Sequence, residues 1–194
     1  MGKANKSRYA VLGIIANAPG SSGYDIQSTM KESTDFFLKE TFSSIYPVLE
    51  TLKKEQLITE LEDSLSGRKR KTYKITKEGL KALQAWLLED VELEQARNEL
   101  LLKIFLGDLN SIDSSIKHID SYKQQISKRK LILEETRKAL PEQYQDDSAL
   151  PFWLMAIEFG VRRMQAIIEW ADYALNELYK LNKLKQKKHI KIGE

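Results

Sequence analysis

The sequence predicts a mainly α-helical protein with one small β-hairpin, built as an N-terminal domain (residues 1–90), a C-terminal helical domain (91–184) and a basic tail (185–194). Three observations lead there. Apolar residues recur at spacings of three and four through most of the chain, the period of helices with one buried face. Two alternating runs, Leu57 to Glu62 and Lys69 to Ile75, flank the turn residues Asp63-Ser64-Leu65-Ser66-Gly67, which reads as a hairpin. From Ser111 onward the apolar positions repeat every seven residues, the signature of helices packed along one another. With 42% hydrophobic and 30% charged residues in a chain of 194, a core can be buried.

Taken in order, Ser7 caps a first helix through Tyr9, Val11, Leu12, Ile14 and Ile15, stopped by Asn17-Ala18-Pro19-Gly20. Gly20-Ser21-Ser22-Gly23 reads as a turn, since a phosphate-cradling loop would need a preceding strand and a Lys-Ser/Thr continuation. Ser22 and Asp25 have the spacing of a capping pair, opening a second helix with Tyr24, Ile26 and Met30. Phe36, Phe37, Leu38 and Phe42 then read as packing around the entry to a third helix.

That third helix and the hairpin after it carry the chemistry. Ser43 or Ser44 caps the helix, and Ile45, Val48, Leu49 and Leu52 draw an apolar stripe. Pro47 fits because only the first turn has N–H groups with no acceptor to lose. The opposite face holds Ser44, Tyr46, Thr51, Lys53 and Lys54, which can donate to phosphates or base edges but offer no bond-breaking chemistry. The returning arm of the hairpin adds Arg68, Lys69, Arg70, Lys71 and Lys74 around Tyr73, a charge density suited to a polyanion. A polar helix followed by a cationic hairpin reads as a winged helix-turn-helix that binds double-stranded DNA. Ser43, Ser44, Tyr46, Thr51, Lys53, Lys54 and Tyr73 are the candidate contacts, and Arg68, Lys69, Arg70 and Lys71 the phosphate clamps. Four phosphates neutralised per protomer of a dimer imply a slope of log affinity against log salt near about −7.

Ser43-Ser44-Ile45-Tyr46-Pro47-Val48-Leu49, Leu52, Leu57-Ile58, Gly67-Arg68-Lys69-Arg70-Lys71-Thr72-Tyr73 and Ile75-Thr76-Lys77-Glu78-Gly79 resemble the PadR family of bacterial transcriptional regulators in order and spacing. The resemblance covers roughly the first ninety residues, and the helical remainder resembles the dimerisation region of the longer PadR proteins, akin to the virulence activator AphA. It implies repression of a target gene, relieved by a signal. One departure is Gln56, which stands where such proteins usually carry the Gly of a left-handed helix cap.

Beyond the hairpin, Thr76 caps a helix with Leu80, Leu83, Trp86 and Leu87, and Glu89, Asp90, Glu92 and Glu94 form an acidic joint near the domain boundary. A short helix with Leu100, Leu101, Ile104 and Phe105 ends near Gly107. Ile112, Ile116, Ile119, Ile126, Leu133 and Leu140 mark a long helix, diluted by Lys123 and Lys130 and ended by Pro141; Leu154, Ile157, Val161, Met164, Ile168, Ala171, Leu175 and Leu178 mark another after Pro151. So much apolar surface calls for a second copy, so we expect a homodimer through Leu154, Ile157, Val161, Met164, Ile168, Leu175 and Leu178, setting two reading helices on an inverted-repeat operator. Trp86, Trp153, Phe159 and Trp170 are candidates for lining a pocket for a small hydrophobic effector. The lysine-rich segment from Lys180 to Lys191 reads as a solvated end.

The absence of cysteine excludes disulfides and thiolate chemistry and suits a reducing cytoplasm. No export signal and no run long enough for a membrane span is expected. His118 and His189 are far apart, and no nucleophile or phosphate-loop motif occurs, so neither an enzyme nor a metal or cofactor site is expected. The rival to a DNA-binding regulator is a winged-helix adaptor for a protein partner, which would need an apolar rather than a basic, polar reading surface.

Overall fold

The computed structural model describes residues 6–33, 37, 45–63, 70–91, 93 and 98–192, with side chains described throughout except at 32, 33, 62, 63 and 185–192. It divides into two compact units, residues 1–93 and 94–194.

Among the described residues the first unit holds four helices and a small sheet: α1 (Lys6–Asn17), β1 (Ser21–Ser22), α2 (Gly23–Ser33), α3 (Ile45–Lys54), β2 (Ile58–Asp63), β3 (Arg70–Ile75) and α4 (Lys77–Leu87). Its core is built on α1, whose Val11, Leu12 and Ile15 are fully buried, packed with Ile26 and Met30 of α2 and Ile45, Val48, Leu49 and Leu52 of α3. Ser7 is buried within the first turn of α1 rather than standing ahead of it as the cap. The Ser22–Asp25 cap forms as expected: the Ser22 N–H donates to Asp25 Oδ2 at 2.9 Å, and the Asp25 N–H returns to Ser22 Oγ at 3.3 Å.

The hairpin expected from the alternating runs is antiparallel, with Ile58 opposite Ile75 and Glu60 opposite Tyr73. A third strand extends it, correcting the reading of residues 20–23 as a turn alone: Ser21 and Ser22 pair with Tyr73 and Thr72, giving the order β1-β3-β2. On α4, Leu83 is buried and Trp86 packs on the core, whereas Leu80 and Leu87 of the expected stripe are exposed.

In the second unit, Asn98 caps α5 (Glu99–Phe105), a single 3-10 turn covers Gly107–Leu109, and Ser111 caps α6 (Ile112–Gln143), which pairs with α7 (Leu150–Ile192). Pro141 does not end α6. A proline removes one N–H, and here the turn continues because Tyr144 N–H still bonds Leu140 O at 2.9 Å. Helix α7 also runs on through Ile192, so the expected basic tail is backbone helix to that point. Ile119, Ile126 and Leu133 of α6 are buried, as are Ile157, Val161, Met164, Ala171 and Leu175 of α7. The pairing of the two helices expected from their seven-residue repeats thus forms within the chain, and the stripe of α7 named for a dimer surface is already covered by α6 there; Leu154, Ile168 and Leu178 are partly buried on the same stripe. None of the described helices is long and apolar enough to cross a membrane, and no metal-holding cluster of His, Cys, Asp or Glu occurs among the described residues.

Candidate nucleic-acid interface

Helix α3 presents two unlike faces. Its apolar stripe is buried, while Tyr46, Thr51 and Lys54 are exposed and Lys53 is partly so. Ser43 and Ser44 lie outside the described residues. Tyr46 is 54% exposed, with its ring over Gly23, where a Cβ would come within 2.9 Å of Cε1. Glycine at the start of α2 therefore makes room for the tyrosine on the surface. Tyr24, 70% exposed one residue further on, adds a second aromatic hydroxyl that the sequence reading did not single out for contact. The Thr51 hydroxyl donates to Pro47 O at 2.9 Å, leaving its oxygen as an acceptor.

The exit of α3 is fixed by a left-handed residue. Gln56 has φ 59°, its N–H bonds Lys53 O at 3.0 Å, and Leu57 N–H bonds Leu52 O at 2.9 Å, which together satisfy the last carbonyls of the helix. Gln56 thus adopts the geometry that glycine would adopt more readily. Thr76 then ties this exit to α4: its hydroxyl lies 2.8 Å from Gln56 O and accepts from Gly79 N–H at 3.0 Å. Gly79 is required here, because a Cβ would stand 2.0 Å from Leu57 O.

Two cations of the hairpin stem, Arg70 and Lys71, do not stand free. Arg70 Nη2 lies 2.6 Å from Asp25 Oδ1 and 2.9 Å from Ser22 Oγ, bridging β3 to the start of α2. The Glu60 carboxylate accepts Lys53 Nζ at 2.8 Å and Lys71 Nζ at 2.9 Å, and Lys53 also reaches Glu50 at 3.0 Å. These contacts set the ionisation of the surface. Donation from Lys53, then from Lys71, holds the Glu60 carboxyl below its ordinary value, and the bonds to Glu60 and then Glu50 hold Lys53 above the ordinary lysine value. Asp25 is lowered chiefly by the Ser22 N–H, with the Ser22 hydroxyl and Arg70 adding to it against partial burial. Arg68 and Lys69 lie outside the described residues. Tyr73 is withdrawn from the contact set: it is 4% exposed in the core, because strand parity turns residues 73 and 75 inward, and burial pushes its phenol upward.

The aromatic residues proposed for a pocket are dispersed. Trp86 stacks on Tyr9 at 4.5 Å between centroids, within the core of the first unit. In the second, Trp153 meets Tyr144 edge-on at 5.5 Å, Trp170 packs beside Ile119 and Ala171, and Phe159 is 60% exposed. Packing accounts for Trp86 and Trp170.

A three-stranded sheet behind a two-faced helix, with a cationic stem beside it, defines the winged helix-turn-helix class of DNA-binding domain. Residues 11–85 match the model of the transcriptional regulator PadR-like family, and residues 96–179 match that of the virulence activator alpha C-terminal domain. The chain therefore combines a PadR-like transcriptional-regulator domain with a virulence activator alpha C-terminal domain. Among solved structures it resembles Bacillus subtilis PadR in complex with operator DNA, at 22% identity and a TM-score of 0.77 over 90% of this chain and 99% of that one. The same PadR in complex with p-coumaric acid gives 23%, 0.70, 88% and 97%. The Vibrio cholerae virulence activator AphA gives 21%, 0.70, 90% and 98%. At these identities the likeness is one of fold. No curated protein matches the sequence significantly.

Proposed function

We propose that the chain is a homodimeric, sequence-specific repressor whose α3 helices enter successive major grooves of an inverted-repeat operator while the hairpins lie along the flanking phosphates. The observation that carries this is the exposed polar face of α3, Tyr46, Thr51, Lys53 and Lys54, mounted on a fully buried apolar stripe beside the cationic β3. Such a surface has the donors that phosphates and base edges require and lacks the apolar patch that a protein partner would need.

Dimerisation is supported by apolar side chains that the single chain leaves uncovered in the second unit: Phe152, Met155 and Phe159 along one face of α7 and Phe105 and Leu109 near α5. Release by a small hydrophobic molecule completes the proposal; the PadR of Bacillus subtilis forms a complex with p-coumaric acid. Such a molecule must bind the DNA-incompetent state better than the competent one, since equal binding shifts nothing. Trp153 and Phe159 are the aromatic positions to vary first.

Gel shifts with the DNA upstream of the protein's own gene, with competitor DNA and over a salt series, test the reading. Saturable binding to a short inverted repeat, weakened when Arg68 and Arg70 become Ala, is the expected result. Sequence-blind binding alone would defeat it.

A further inference from the structure

Two carboxylates, Glu60 and Asp25, sit among these cations. Glu60 lies on the inward-facing side of β2 with its side chain only 17% exposed, beneath Lys53 from α3 and Lys71 from β3. Asp25 does the same for Arg70. Three cations of the reading surface are thus neutralised by partners from other elements. Stability gives little reason for them: the cation of each pair stands a third or more exposed, which screens the attraction, and the helix and sheet are already joined through Leu49, Leu52 and Ile58 of the core.

The pairs do bear on how the protein distinguishes one DNA from another. Sequence-blind binding draws almost wholly on cations that displace counterions from phosphates, so it loses most when a lysine already has an anion. Specific binding also draws on base-edge contacts by α3, and a Lys53 held by Glu60 and Glu50 keeps one geometry for that purpose. Specificity is the difference between those two affinities, and lowering the first raises it.

We propose that Glu60, assisted by Asp25, is a specificity-determining residue that acts as an internal anion, keeping Lys53, Lys71 and Arg70 from random phosphates. The inference rests on the DNA-binding reading above. In Glu60→Gln the amide keeps the shape but not the charge. Lys71 is then released, whereas Lys53 retains Glu50.

The test is a salt series on two probes, a random-sequence duplex of about 30 base pairs, three helical turns, and the upstream DNA. One freed lysine per protomer steepens the random-duplex slope of a dimer by about 2 and raises its affinity about tenfold or more near 0.1 M salt. The upstream DNA should gain less, so discrimination falls, and Lys71→Met added to Glu60→Gln should restore the wild-type slope. Asp25→Asn, which keeps a capping side chain, should act in the same direction through Arg70 and serves if Glu60→Gln folds poorly. An unchanged random-duplex slope, or undiminished discrimination in a folded variant, overturns the inference while leaving the DNA-binding reading intact. Wild-type protein that binds neither duplex overturns that reading, and the inference with it.

Discussion

Gln56 holds a left-handed backbone that costs a residue with a Cβ about 1–2 kcal/mol relative to its helical alternative. The bonds from Gln56 and Leu57 to the end of α3 explain why the conformation persists, and no side-chain role offsets the cost among the described contacts. Gln56→Gly should therefore raise stability by about 1 kcal/mol, read as a higher urea midpoint at unchanged slope. A lower midpoint would show that the Gln side chain supports the helix exit. The left-handed site was legible in the sequence through the glycine that related proteins carry there. Tyr73 was misread for a different reason: the positive charges around it drew attention to the strand, although its parity with Ile75, against exposed Lys74, already placed it inward.

Individual elements were legible where a period was long enough to register. The stripe of α3, the capping pair of α2 and the seven-residue repeats of α6 and α7 all follow from spacing, whereas the two-residue β1 has no alternation to reveal it and exists only because Tyr73 and Thr72 lie beside it. The two seven-residue repeats read as helices packed along one another, and the repeat of α7 is matched by α6 of the same chain. Ile119, fully buried against Ala171 and Leu175, is the centre of that seam. Ile119→Ala should cost about 2–5 kcal/mol. Lys123→Met, which removes a solvent-exposed pair with Asp172, should cost less than about 1 kcal/mol. Chemical denaturation of the two variants compares them directly, and equal losses would mean that the seam is held by charge rather than by packing.

Among the described residues five carboxyls, those of Asp25, Glu60, Glu99, Glu134 and Glu158, are held below their ordinary values, each by hydrogen bonds that favour the ionised form. The unfolded chain then binds more protons than the folded one in acid, so this part of the stability is complete above about pH 5 and fades as the pH drops through the folded-state values. Thermal midpoints should be flat from neutrality to about pH 5 and fall below it, less steeply in high salt because the pairs are exposed. The same exposure argument applies to apolar groups. Phe152, Met155 and Phe159 recur at helical spacing on α7 with 68%, 59% and 60% of their surface open, and Phe105 of α5 is 83% exposed. Patches of this kind mark an interface. The double variant Phe152→Ser with Phe159→Ser should therefore sediment as a monomer with nearly the wild-type helix content, and its DNA affinity should fall because one reading helix alone spans one half-site. Ile157→Asp, between Met155 and Phe159 in sequence but on the buried seam, should instead lose helix content together with the dimer, since an unpaired charge would be forced into the α6–α7 core. A double variant that remains dimeric would move the interface to a surface other than this face of α7.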